Sequence, residues 1–189
     1  MMFEEDIRNS LNVLKEGGVI LYPTDTVWGL GCDAANNEAV KKIFSIKKRN
    51  ESKSFIVLVD SAAMLERYVK ELPDTALELI EVSDKPLTII YPGARNLASD
   101  IIADDGSVGI RVCAEEFCSE LIGRFRRPVV STSANISGEP APGCFSEISE
   151  HIINAFDYTV FYKREDRQKR SPSPVIKIEQ NGVIKIIRK

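Results

Sequence analysis

Three short segments of the chain concentrate side chains able to hold a polar ligand. In Tyr22-Pro23-Thr24-Asp25-Thr26 an apolar strand ends in a proline turn that sets two hydroxyls and a carboxylate beyond the sheet edge, where ligands of open α/β sheets bind. A plain turn whose Thr and Asp bond their own backbone accounts for the same residues. In Ile46-Lys47-Lys48-Arg49, with Lys53 after it, cations gather where a helix gives way to a loop. Dipole compensation explains lysines there, while the place just before a buried strand lets these cations converge on the same sheet edge as Thr24 and Thr26. Ser131-Thr132-Ser133-Ala134-Asn135-Ile136-Ser137-Gly138 sets four hydroxyls and an amide after a short apolar strand. That density of neutral donors and acceptors suits a nucleotide and exceeds what capping and turn formation need.

Arg111 belongs to Ser107-Val108-Gly109-Ile110-Arg111-Val112, where strand alternation puts Val108, Ile110 and Val112 on one face and Gly109 with Arg111 on the other. The small glycine leaves room for a guanidinium to grip a carboxylate or phosphate with two bonds; an exposed arginine on an edge strand is the competing reading. Ser171 to Pro174 and Arg188 can add a hydroxyl and a cation, although a proline-rich loop and a solvated tail also explain them. His151, beside Ile152 and Ile153, reads as structural. Gly29-Leu30-Gly31-Cys32-Asp33-Ala34 fits the dinucleotide fingerprint, but Pro23 to Trp28 separate it from its strand, so its glycines are expected to permit a loop with positive φ. Cys32, Cys113, Cys118 and Cys144 form no C-x-x-C pair, and one histidine completes no zinc pattern. Reduced thiols and no protein-held metal are expected.

Helices and strands in alternation must position these groups. Ile7, Leu11 and Leu14, with Gly17-Gly18 as a stop, predict an amphipathic helix over 3–16, and a strand follows at 19–22. Asn36 or Asn37 caps a second helix that ends near Lys47, with Val40, Ile43 and Phe44 on one face. The pattern then gives a strand at 55–59, helices over 61–69 and 74–82, strands at 87–91, 107–112 and 128–131, and a helix at 115–124. A short helix at 145–153, a strand at 157–161 and a final strand pair, 174–179 and 183–187, complete the order, with Asn181-Gly182 as the hairpin turn. The fold class is α/β with a mixed sheet in a single domain spanning 1–189. Lys163 to Pro174 reads as a mobile loop.

The composition, 189 residues with 43% hydrophobic and 28% charged, excludes fibrous and disordered classes. A domain of this size buries roughly 70% of its unfolded surface and needs no disulfide or metal to fold. Acids occupy MMFEEDIRNSL where a signal peptide carries lysine or arginine, and no apolar run nears the roughly 18 residues of a membrane span. A cytoplasmic protein without a membrane partner is expected. Net charge of -3 gives no bulk drive toward nonspecific nucleic-acid binding.

Taken together, GGVILYPTDTVWGLGCDA at 17–34, the K-x-R of Lys47 and Arg49, SVGIRV at 107–112, STSANISG at 131–138, SPSPVIKI at 171–178 and Ile187-Arg188 resemble the YrdC-type threonylcarbamoyl-AMP synthase family over nearly the whole chain. The resemblance implies a twisted mixed sheet with flanking helices and a large concave, basic cavity. It also implies a reaction in which L-threonine and bicarbonate form N-carboxythreonine, whose carboxylate attacks the α-phosphorus of ATP and releases pyrophosphate, with Mg2+ on the phosphates. Carried over by position, Thr26, Arg111, Ser131 and Ser173 would hold threonine. Lys47 and Arg49, with Lys53, would neutralise the triphosphate. Ser107, Ser133, Asn135 and Arg188 would face the nucleotide. Such chemistry needs positioning and charge stabilisation rather than a triad or metal cluster. The implied partners are the tRNA-modifying transferase machinery, met transiently, with weak RNA binding left open.

The chain departs from the family pattern at Asn50 and Ser54, where prolines are usual, at Asp84-Lys85-Pro86 in place of proline-glycine-proline, and at Pro174 in place of a common threonine. With no second, C-terminal domain expected, gating would fall to loops such as 163–174. The alternative function is a non-catalytic RNA-binding module for ribosome or tRNA maturation, supported by Lys163, Arg164, Arg167, Lys169 and Arg170 and diluted by Glu165 and Asp166.

Overall fold

A computed structural model describes residues 2–48, 55–179 and 182–189. The amino-terminal helix α1, Met2–Lys15, turns Ile7 and Leu14 inward, and β1, Ile20–Tyr22, follows wholly buried. Helix α2, Asn37–Lys47, starts where the Asn36 side chain accepts from the N–H groups of Glu38 and Ala39, and it ends on Lys48 in the left-handed conformation. The remaining elements are β2 (Gly29–Gly31), β3 (Ile56–Val59), α3 (Ala62–Leu65), α4 (Asp74–Val82), β4 (Thr88–Tyr91), β5 (Val108–Val112), α5 (Glu116–Phe125), β6 (Val129–Ser133), α6 (Glu150–Ile153), β7 (Tyr158–Thr159), β8 (Val175–Ile178) and β9 (Ile184–Arg188).

The nine strands described join one sheet in the order β7-β1-β2-β6-β3-β5-β4-β8-β9. It is mixed: β1 with β7, β3 with β5 and β4 with β8 run parallel, and the other neighbours run antiparallel. Val57, Ile110 and Val130 from its central strands, Val40 and Ile43 of α2, and Phe117 and Leu121 of α5 belong to one buried core. Buried Asp6 of α1 accepts from Tyr158 Oη at 2.6 Å and from the N–H groups of Phe161 and Tyr162, so one carboxylate binds the exit of β7 to the first helix. No helix among the described residues is long and apolar enough to cross a membrane.

Most of the expected elements appear, and three differ. The helical pattern over 61–69 yields only α3, because the next residues pair elsewhere: Lys70 N–H donates to Gly93 O at 2.8 Å and Arg95 N–H to Tyr68 O at 2.9 Å. The expected helix at 145–153 divides into a 3₁₀ turn, Phe145–Glu147, and α6, with Phe145 packed on Trp28 at 4.8 Å between ring centroids. Extended Ile148 separates the two.

The third difference corrects the expected loop at Gly29 and Gly31, which instead form β2 and do not have positive φ. Their use is close approach. A Cβ on Gly31 would lie 2.5 Å from Tyr22 Cε1 and 3.0 Å from Val130 O, whereas one on Gly109 meets nothing nearer than 3.6 Å. At the chain's end β8 and β9 form the expected antiparallel pair; Gly182 has φ +80° in the turn, and Asn181 lies outside the described residues. Gly31→Ala should lower unfolding free energy by about 2 kcal/mol and the melting temperature by about 4–8 °C. Gly109→Ala should stay within about 0.5 kcal/mol of the parent in the same urea titration.

Candidate active site

Strand β5 is the axis of a cavity of about 340 Å³. Gly109 and Arg111 line it from one face of that strand, Ser107 and Val108 line it where the strand begins, and Thr88 and Ile90 line it from neighbouring β4. Ser131, Thr132 and Ser133 of β6, Thr26 and Val27 of the turn after β1, Pro172 with Ser173, and Arg188 of β9 supply other parts of the wall. Antiparallel pairing of β2 with β6, at Gly29 with Ser133 and Leu30 with Thr132, brings the residues just after the Thr24–Thr26 turn beside the hydroxyl-rich strand.

Arg111 is buried in this central strand, which removes the exposed edge-strand reading. Its Nη1 donates to Ser173 Oγ at 3.2 Å and its Nη2 to Thr26 Oγ1 at 3.3 Å. Nη2 also lies 2.9 Å from Asp25 Oδ1, off the line of a hydrogen bond. Asp25 Oδ1 and Arg111 Nε have no hydrogen-bond partner among the described residues. Asp25, expected as an exposed carboxylate, is therefore drawn in as the arginine's counter-charge. Burial raises its pKa from the ordinary 3.8, and Arg111 opposes that rise.

The surrounding hydroxyls are chained together. Thr24 Oγ1 donates to Val27 O at 2.8 Å and lies 3.1 Å from Thr26 Oγ1, so the turn reading and the site reading describe the same bonds. Ser173 Oγ lies 2.8 Å from Thr88 Oγ1, while the Ser173 carbonyl accepts from Arg188 Nε at 3.0 Å and Nη2 at 2.7 Å. Both guanidinium groups thus meet on one serine, and Arg188's pKa is lowered by burial first and by nearby Arg111 second. Just before β5, Ser107 Oγ donates to Asp105 Oδ1 at 2.5 Å, and Lys177 Nζ holds Asp105 Oδ2 at 2.5 Å. Those contacts lower the Asp105 pKa to about 2, the lysine contributing most.

The structure brings Thr26, Arg111, Ser131, Ser173, Ser107, Ser133 and Arg188 into one cavity. Lys47 and Asn135 stand one step behind it: the buried Lys47 ammonium donates to Ser133 O at 2.5 Å and Asn135 O at 2.6 Å. The expected convergence of cations is met for Lys47 only through that strand. Arg49 and Lys53, together with Asn50 and Ser54, lie outside the described residues. Sequence reasoning missed Thr88, Asp25 as the arginine's partner, and Asp105. For Thr88 the available signal was a hydroxyl inside the apolar run Leu87-Thr88-Ile89-Ile90-Tyr91.

Among the described residues, no group of three or more His, Cys, Asp or Glu side chains is placed to hold a metal ion. All four cysteines are free and buried, and burial pushes the Cys32 and Cys118 thiols up, away from nucleophilic use. His151 is exposed. The basic segment behind the RNA-binding alternative is largely neutralised: Lys163 pairs with Glu115, Lys169 with Glu147 and Arg170 with Asp166, and Arg164 donates to the carbonyls of Thr159 and Val160. What the cavity offers is two guanidiniums and a set of hydroxyls, an arrangement that binds anions and orients polar reactants.

Comparison with known proteins identifies relatives of this chain. The Sua5/YciO/YrdC family, described as telomere recombination, matches residues 12–189. A threonylcarbamoyl-AMP synthase of Vibrio cholerae is 34% identical over 170 residues, which cover 88% of this chain and 90% of the relative. One from Coxiella burnetii is 34% identical over 139 residues, covering 73% and 75%. Pyrococcus abyssi Sua5, solved in complex with L-threonine, superposes with a TM-score of 0.83 at 30% identity over 94% of this chain, which spans only about half (52%) of that protein.

Removing Arg111 leaves Asp25 buried without its counter-charge, so Arg111→Met should cost about 3 kcal/mol in urea denaturation, and less in an Asp25→Asn background. The sign with pH follows from the raised carboxyl. A folded pKa above the unfolded value gives a penalty that is absent below the unfolded value and grows as pH rises through the folded one. The cost of Arg111→Met should therefore be smallest near pH 4 and increase toward neutrality.

Proposed function

The chain belongs to the Sua5/YciO/YrdC family, and we propose that it is an L-threonylcarbamoyladenylate synthase, joining L-threonine, bicarbonate and ATP into threonylcarbamoyl-AMP with release of pyrophosphate. The observation that carries this reading is buried Arg111, held by Thr26, Ser173 and Asp25 at the wall of a cavity that the Ser131–Ser133 hydroxyls also line. The V. cholerae relative bears the synthase name, and P. abyssi Sua5 has been solved with L-threonine.

In this reading Arg111 takes the threonine carboxylate, with Thr26, Ser131 and Ser173 around the amino acid. The threonine amine and bicarbonate give N-carboxythreonine and water. An oxygen of the new carboxylate forms a bond to the α-phosphorus as the bond to the β-phosphate oxygen breaks, and pyrophosphate carries the electron pair away. Lys47, Arg49 and Lys53 supply positive charge to the departing phosphates, Lys47 from behind the carbonyls of Ser133 and Asn135. Ser107, Ser133, Asn135 and Arg188 hold the adenylate.

No carboxylate lines the cavity among the described residues, so Mg2+ fits as the triphosphate's own counter-ion, neutralising its charge, rather than as an ion held by the protein. The product is a labile mixed anhydride. It is passed in the cytoplasm to the transferase machinery that modifies adenosine in tRNA, by brief encounters rather than a permanent complex.

Mass spectrometry of a reaction containing protein, ATP, Mg2+, bicarbonate and threonine, with each left out in turn and pyrophosphate followed, tests the reading. Threonylcarbamoyl-AMP is expected only when threonine and bicarbonate are both present. Arg111→Lys, which cannot reproduce the guanidinium fork, should raise the KM for threonine about tenfold or more and leave that for ATP within about threefold. Pyrophosphate released at the same rate without threonine would contradict it.

A further inference from the structure

A hydroxyl next to an ionised carboxylate has its polarity decided for it. Ser107 Oγ–H donates to Asp105 Oδ1, and the same oxygen takes the Ser107 N–H at 3.0 Å. An ionised carboxylate only accepts, and the low Asp105 pKa keeps it ionised throughout the neutral range. Lys177 on β8 holds the other carboxylate oxygen, so the group cannot swing away from the serine without breaking an ion pair. Ser107 is buried and lines the cavity. With its proton committed to Asp105, its hydroxyl has only lone pairs left for a ligand.

Building on the synthase reading, we infer that Ser107 reads a hydrogen-bond donor of the nucleoside, an exocyclic amine of the base or a hydroxyl of the ribose, and that Asp105 is the positioning residue that fixes this polarity. Two facts exclude the other parts of the reactants. Phosphate oxygens carry lone pairs and no proton, so they repel an acceptor-only hydroxyl. The threonine carboxylate belongs to Arg111, four residues on from Ser107, a separation of roughly 13 Å between the two Cα atoms in extended chain. The nucleoside is the one reactant portion that offers donors at that distance from the carboxylate. A hydroxyl free to rotate would accept either kind of group; one fixed as an acceptor discriminates.

The test is calorimetric titration of ATP, ITP, 2′-deoxy-ATP and 3′-deoxy-ATP into the full chain and into Ser107→Ala and Asp105→Asn, with pyrophosphate release measured in parallel. ITP replaces the base amine with a carbonyl, and each deoxy analogue lacks one ribose hydroxyl, so the three arms separate the two sources of the donor. Wild type should bind one donor-lacking nucleotide about tenfold more weakly than ATP. In Ser107→Ala that gap should close to within about twofold, because every nucleotide that keeps the donor loses affinity and the one lacking it does not, so the gaps between ATP and the remaining analogues should not move.

Asp105→Asn leaves the cavity lining unchanged and can donate to Ser107; it should close the same gap while binding threonine as wild type does. A gap that survives in both variants, an equal loss for all four nucleotides, or a wild type blind to all three changes would overturn the inference. A wild type that binds no nucleotide would overturn the synthase reading with it, whereas turnover of ATP with an unmoved gap would overturn only the role of Ser107.

Discussion

A permanent cation in the middle of a β-sheet is the constraint around which this molecule is built. Arginine does not lose its proton, so burying one in central strand β5 is tolerable only if its surroundings replace water. They do so from three distant parts of the chain: Asp25 and Thr26 after β1, Ser173 before β8, and through Ser173 the hydroxyl of Thr88 on β4. The compensation is incomplete, since Nε and Asp25 Oδ1 have no hydrogen-bond partner among the described residues. An under-satisfied buried ion pair at a cavity wall has binding capacity left for a ligand that brings its own anion.

The sheet order follows from the need to gather these parts. Placing β5 between β3 and β4, with β8 beyond β4, sets Arg111, Thr88 and Ser173 side by side although they are far apart in the chain. On the other side β6 lies against β2, and that pairing needs glycine at position 31, where any side chain would meet Tyr22 and the Val130 carbonyl. Lys47 closes the arrangement from behind by holding the carbonyls of Ser133 and Asn135, which fixes the loop after β6 without entering the cavity wall. Three cations thus serve two purposes. Arg111 and Arg188 both line the cavity and meet on Ser173, and Lys47 ties down the loop after β6 from behind.

The local patterns were legible before the structure was. Helical spacing at Ile7, Leu11 and Leu14, the Asn36 cap, and the alternation around Arg111 each led to the element observed, because each depends on a short stretch of chain. The short glycine strand β2 was not legible, since Gly-Leu-Gly has no strand propensity and forms only because its neighbours accept it. The helix expected past Leu65 was lost to pairing with residues 93–95, a tertiary contact with no local trace. In the site, the segments that carry chemistry could be picked out by their dense hydroxyls and cations. Which acid meets which base could not: Asp25 with Arg111, and Asp105 with Ser107 and Lys177, are juxtapositions made by strand order.

The central claim is that Arg111 forms the seat of a carboxylate, and titrating the protein with L-threonine and with L-threoninamide under identical conditions tests it most directly. The amide keeps the amine, hydroxyl and methyl group and lacks only the anion. Binding of threonine with a loss of about a hundredfold for the amide, a loss that disappears in Arg111→Met, is the predicted result. Equal binding of the two compounds to the wild-type chain would contradict the account.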